Sequence, residues 1–110
     1  MALIATTNKT EFKDKVLDSA KVGLVEFWGD WCRPCRMRVP ILDSVADKMA
    51  DGVDVVKVNI EEHQENGQIA AEYGVRSIPN LLVFKDGKVV GNMIGMMPES
   101  ALVEELNKHL

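Results

Sequence analysis

The chain has 110 residues, 46% of them apolar and 27% charged, with a formal net charge of −4. That size fits one domain with a core of its own, so residues 1–110 are read as a single domain. The mild, dispersed negative charge leaves no basic footprint for nucleic acid, and no stretch approaches the roughly 20 apolar residues that a membrane span needs. Met1–Thr6 lacks a basic segment and carries too short an apolar run for a signal peptide, so the protein is expected in the cytoplasm.

Asn8-Lys9-Thr10-Glu11 has the pattern of a capping box with Asn8 as N-cap. Phe12, Val16, Leu17 and Ala20 follow at helical spacing, and Gly23 ends the unit. Leu24 to Trp28 reads as a buried strand, and from Cys32 a long helix carries Ile41, Leu42, Val45, Ala46 and Met49 on one stripe. Pro40 lies inside that helix and predicts a kink, because it lacks an N–H and crowds the preceding turn. Asp51-Gly52 closes the helix. Val53 to Ile60 is β-branched and nearly continuous, as expected of a buried parallel strand. Ile69 to Tyr73 reads as a short helix ended by Gly74. Leu81–Phe84 and Lys88–Val90 flank Lys85-Asp86-Gly87, a strong hairpin signal. Pro98 suits the first position of a last helix with Leu102, Val103, Leu106 and Leu110 facing inward. The order is βαβαβ, then ββα: an α/β fold with helices on both faces of a mixed central sheet.

Cys32 and Cys35 are the only cysteines, spaced Cys-x-x-Cys between the strand and the long helix. A strand running into a helix puts Cys32 at the helix N-terminus, where backbone N–H groups and the dipole stabilise a thiolate. Residues three apart on a helical turn have Cβ atoms roughly 5–6 Å apart, and a disulfide needs about 3.5–4.5 Å. A small tightening therefore closes and reopens the pair. The loop closed is tiny, so as a staple it removes little unfolded-chain entropy. In a reducing cytosol such a pair is catalytic or metal-binding more often than structural. A zinc site would need two more ligands; only His63 and His109 exist, at a separation that fits no familiar finger, and both read as surface residues. Reversible dithiol–disulfide exchange is the chemistry expected, with no metal.

Phe27-Trp28-Gly29-Asp30-Trp31-Cys32-Arg33-Pro34-Cys35-Arg36 resembles the active-site segment of the thioredoxin family. So do Pro40 inside the following helix, Tyr73-Gly74-Val75-Arg76, Ile78-Pro79, Phe84-Lys85-Asp86-Gly87 and Gly95. The resemblance covers nearly the whole chain, in order. It implies a thioredoxin fold, with about five strands in a mixed sheet flanked by four helices. It implies a monomeric protein-disulfide reductase that holds no cofactor and is re-reduced by a thioredoxin reductase, a flavin enzyme, or a similar donor. Cys32, expected to be exposed at the helix N-terminus, is the candidate nucleophile; Cys35, one turn in and more buried, would resolve the mixed disulfide.

Glu26 is a carboxyl group in an otherwise apolar strand, a costly placement unless it is paired or protonated. Desolvation would raise its pKa toward the range of a working acid–base group. The resemblance implies that this position relays a proton to or from the buried cysteine. Lys57 in the next strand would pair with it, and a purely structural ion pair is the alternative. By the same resemblance Pro79 is cis, Ile78 offers its backbone to the client, and Trp31, Ile78, Pro79, Gly95 and Met96 rim a shallow apolar groove beside Cys32. Pro34 stiffens the turn between the cysteines.

The family usually has Gly-Pro between its cysteines, aspartate where this chain has Glu26, and threonine where it has Asn80; Glu61–Gln68 is also slightly longer than usual. Arg33 beside Cys32 would favour the thiolate and make the couple more oxidising, or would be a screened surface charge with little effect. Arg36 and Arg38 read as further surface charges. A milder oxidant or isomerase tuned by Arg33 is therefore one alternative to the reductase, and a thioredoxin-fold binding module within a larger assembly is another.

Overall fold

Apolar β-branched runs supply the strands. In the computed structural model, which describes residues 3–110, these are β1 (Leu3–Thr6), β2 (Val22–Trp28), β3 (Val53–Asn59), β4 (Asn80–Lys85) and β5 (Lys88–Ile94). They form one mixed sheet in the order β1-β3-β2-β4-β5. β3 runs parallel to both β1 and β2, as its continuous Val pattern predicts, and β4 is antiparallel to β2 and β5. The reading of Met1 and Ala2 as free of a leader signal lies outside the described residues.

Side chains alternate across the sheet, so each strand feeds two cores. Leu24, Val55, Leu81 and Val83 point to one face. There α2 (Arg33–Lys48) contributes Leu42, Val45 and Ala46, and α4 (Glu99–Asn107) contributes Leu102 and Leu106. Val25, Phe27, Val56, Val58 and Leu82 point to the other face. They meet Phe12 and Val16 of the first helical segment and Ile69 and Ala70 of α3 (Gln64–Glu72). The first segment is α1 (Lys9–Phe12) continuing into a wider π-helical turn at Lys13–Leu17. Phe12, Tyr73 and Phe84 pack edge-on or tilted at centroid distances of 5.2–6.1 Å.

Several boundaries differ from the sequence expectation for identifiable reasons. The four residues of β1 carry too little pattern for the sequence to bound the strand. Gly23 lies inside β2, opposite Asp54 and Phe84, instead of ending the first helical unit. Asn8 caps α1 by accepting from the Glu11 N–H, but Glu11 reaches back to the Thr7 N–H and hydroxyl rather than to Asn8. α2, expected from Cys32 on, runs from Arg33 to Lys48 with Pro40 inside it, because Cys32 is its extended N-cap. α3 begins at Gln64, five residues before the expected start, because its first turn is polar. β5 continues past Val90 through Gly91 and Asn92 to Ile94. Pro98 is the N-cap of α4, one place earlier than expected. Leu110 lies beyond the helix end and is 60% exposed, not inward-facing. The β4–β5 turn places both Asp86 (φ 53°) and Gly87 (φ 76°) in the left-handed region, the geometry that an Asp-Gly hairpin demands.

Asn66 explains why α3 starts early. Its buried Nδ2 donates to the carbonyls of Thr6 (2.8 Å) and Asn59 (3.2 Å), tying the ends of β1 and β3 to the first turns of α3. Asn66→Ala leaves both carbonyls without this donor. We expect a loss of about 1–3 kcal/mol, read as a lower urea midpoint at unchanged slope.

Candidate active site

β2 ends at Trp28, and the chain turns over Gly29–Trp31 into α2. Cys32 is the N-cap of α2, in extended conformation, with its N–H bonded to the Gly29 carbonyl at 3.0 Å. Arg33 and Pro34 occupy the first two helical positions, where the missing Pro34 N–H costs nothing. Cys32 and Cys35 form a disulfide with Cα atoms 5.2 Å apart. The Cys35 N–H donates to Cys32 Sγ at 3.2 Å, so the helix N-terminus directs a donor at this sulfur. The two sulfurs differ in access. Cys35 is fully enclosed, whereas Cys32 retains 8% exposure, less than its place at the helix start led one to expect. Trp31 beside it is 88% exposed.

Asn59 and Glu61 steady the loop. Asn59 Oδ1 accepts from the Glu61 and Glu62 N–H groups at 3.0 and 3.1 Å, and its Nδ2 donates to Asp30 at 3.3 Å. Glu61 Oε1 accepts from the Trp31 N–H at 3.4 Å.

Glu26 lies in β2 on the face covered by α2, in register with Lys57 of β3 and Leu81 of β4. Its side chain is completely buried, with Oε1 3.8 Å from Lys57 Nζ and Oε2 3.7 Å from Arg38 Nη1. Neither oxygen accepts a hydrogen bond within the protein among the described residues. Burial pushes the Glu26 pKa up to about 7, against the downward pull of Lys57 and then Arg38. Lys57 Nζ also sits 4.2 Å from the centroid of the Trp28 ring, a cation–π contact that anchors it.

Arg38 corrects the sequence reading. It is not a solvated surface charge but fully buried, on the α2 stripe formed by Cys35, Arg38, Leu42, Val45 and Ala46. Its Nη2 donates to the Gly95 carbonyl and lies 3.7 Å from Met96 Sδ. Desolvation lowers its pKa and Glu26 opposes that shift; a guanidinium remains charged throughout the physiological range. Its position at three residues after Cys35 and four before Leu42 was the available signal, outweighed by the expectation that arginine is exposed.

Strand register gathers the remaining candidates at one end of the sheet. Asn80 opens β4 opposite Phe27 near the end of β2, and it also pairs with Ile94 at the end of β5. Ile78–Pro79, immediately before β4, and Gly95–Met96, immediately after β5, therefore flank the end from which the cysteine loop emerges. The Ile78–Pro79 peptide bond is cis. Ile78 leans on the core formed with α1 and α3, while Gly95 (φ 88°) and Met96 are exposed. Arg33 and Pro34 are exposed, and among the described residues Arg33 has no ion-pair partner. No group of three or more His, Cys, Asp or Glu residues is placed to hold a metal ion among the described residues.

The thioredoxin family model matches residues 3–108. Thioredoxin 1 of Synechococcus elongatus is 44% identical over 110 residues, all of both chains. Thioredoxin of Bacillus subtilis is 42% identical over the same span, and thioredoxin of Porphyra purpurea is 41% identical over 107 residues, 97% of each chain. The chain belongs to the thioredoxin family.

The mixed five-stranded sheet with four helices is the thioredoxin fold, and the Cys32–Cys35 pair fits its redox centre. The protein is a thiol–disulfide oxidoreductase that reduces disulfides. Membership of the thioredoxin family brings disulfide substrates and a reductase partner. No helix among the described residues is long and apolar enough to cross a membrane.

Proposed function

We propose that Cys32 is the attacking thiolate and Cys35 the resolving one, in a single 1–110 domain acting as a monomer on protein clients. Cys32 Sγ attacks one sulfur of a client disulfide, forms the mixed disulfide and expels the other client sulfur as a thiolate. Glu26 then takes the Cys35 proton, and Cys35 Sγ attacks Cys32 Sγ. The Cys32–Cys35 disulfide forms, the second client sulfur leaves as a thiolate, and the client has gained two electrons. A thioredoxin reductase or similar donor returns those electrons. The observation that supports these roles best is the asymmetry of the pair: the helix cap aims an N–H at Cys32, which keeps some exposure, while Cys35 is enclosed. The test is reduction of insulin disulfides with dithiothreitol as donor, comparing Cys32→Ser with Cys35→Ser.

Glu26 is proposed as the proton carrier, supported by its burial, its raised pKa and two cations that keep the ionised form accessible. Trp31, Ile78, Pro79, Gly95 and Met96 are proposed as the client surface. An extended client segment would lie there with main-chain hydrogen bonds to the Ile78 backbone. The cytoplasm is the proposed compartment, because turnover needs a steady supply of reducing equivalents. Protein clients, not nucleic acid, suit the net charge of −4.

The alternative, a milder oxidant or isomerase tuned by Arg33, rests on a charge at the first helical position beside Cys32. Arg33 is exposed, so solvent and salt screen it. Arg33→Gly is therefore expected to lower the reduction potential, but by less than roughly 20 mV. A drop several times larger, measured by equilibration with glutathione, would favour the oxidant.

A further inference from the structure

Arg38 has the largest side chain among the fully buried residues. A guanidinium withdrawn from water is costly unless charge and hydrogen bonds compensate it. Its partners lie on two sides. Nη1 faces the Glu26 carboxylate, and Nη2 donates to the Gly95 carbonyl and approaches Met96 Sδ. Gly95 and Met96 belong to the loop that joins β5 to α4, at the end of the sheet where the cysteine loop emerges. We propose that Arg38 is a positioning residue that joins the buried Glu26 to the client-binding loop, one edge of its guanidinium facing the carboxylate and the other holding Gly95 and Met96 in place beside Cys32. This rests on Glu26 as proton carrier and on the Gly95–Met96 loop as client surface.

The planar fork of arginine is what permits the double role, since its donors point in fixed, separate directions. The charged groups facing Glu26 are few. β3 presents Lys57 and α2 presents Arg38, while β4 places the uncharged Leu81 opposite Glu26; Cys35 lies on the same buried stripe of α2 as Arg38. In the oxidised protein Cys35 does not titrate, so against the upward push of burial the charges acting on the Glu26 midpoint are those of Lys57 and Arg38. Removing Arg38 withdraws one of two attractive charges and raises the midpoint. It also frees the loop, which weakens the grip on extended clients more than on small disulfides.

Arg38→Met fills the same space without charge, and apolar replacement of a buried ionic group is commonly tolerated. In the oxidised Arg38→Met protein, the Glu26 carboxyl titration followed by 13C NMR should shift upward by about one pH unit. In the same variant, KM for insulin should rise several-fold, and by more than KM for the small disulfide 5,5′-dithiobis(2-nitrobenzoate), which does not span the loop. An unchanged midpoint or an unchanged insulin KM overturns the proposal and leaves Arg38 as core filling. Arg38→Lys is the second variant. A single ammonium reaches only one of the two partners, so at least one readout should move, and a variant that moves neither overturns the proposal even if Arg38→Met does not fold. Glu26→Gln separates this from the reading beneath it. If Glu26→Gln turns over normally, the proton relay fails, and the NMR shift and KM change still judge Arg38.

Discussion

Cys35→Ser is expected to turn a catalyst into a trap. Cys32 keeps its place at the N-cap of α2, with the residue 35 N–H still aimed at its sulfur, so it still attacks client disulfides. Resolution is gone, because serine cannot displace Cys32 from the mixed disulfide. Turnover of insulin with dithiothreitol should fall on the order of 10³-fold or more. Incubation with a disulfide-bonded client should give a covalent one-to-one adduct, visible by mass spectrometry and released by excess thiol. Cys32→Ser should lose turnover to the same extent and form no such adduct, since the only remaining thiol is enclosed. Equal adduct formation by both variants would reverse or erase the assigned division of labour.

The second large effect concerns pH. The folded protein holds the Glu26 pKa up at about 7, mainly by burial, against an ordinary value of 4.5. Between these two values the native state binds a proton that the unfolded state has released. Stability from this group is therefore fully present below pH 4.5 and is lost as pH rises through about 7. The loss is on the order of 3 kcal/mol. Urea unfolding of the oxidised protein should show that decline between pH 5 and pH 8. Glu26→Gln should flatten the profile and exceed the parent stability at pH 8, because an amide mimics the protonated carboxyl at all pH values. The same substitution should slow insulin turnover at least about tenfold, short of the roughly 100-fold that marks the low end for a positioned acid–base group. A parent profile that stays level from pH 5 to pH 8 would contradict the buried, proton-holding Glu26.

Legibility in the sequence followed the strength of local pattern. The β-branched run at Val53–Asn59, the Asp86-Gly87 turn and the stripe through Leu42, Val45 and Ala46 are strong periodic or turn signals, and the corresponding elements stand where expected. Elements held by tertiary contacts were weaker. β1 exists because it pairs with β3, and the first turn of α3 exists because Asn66 bonds to two strand ends. β5 outlasts its apolar stretch because β4 supplies partners as far as Ile94. At the site, Glu26 and the cysteines were legible because a carboxyl group in an apolar strand and a Cys-x-x-Cys before a helix are unusual in themselves. The cis bond before Pro79 was implied only by resemblance, since no local signal distinguishes it. Arg38 was missed because composition argued for solvent while helical spacing argued for the core, and spacing prevailed.

The most direct test of a reductase is the equilibrium reduction potential of the Cys32–Cys35 pair, measured in glutathione redox buffers. Reduction of protein disulfides by this chain predicts a value close to the about −270 mV characteristic of thioredoxins. A value near roughly −180 mV, in the range of protein disulfide isomerase, would contradict it and make Arg33 the mark of an oxidising couple.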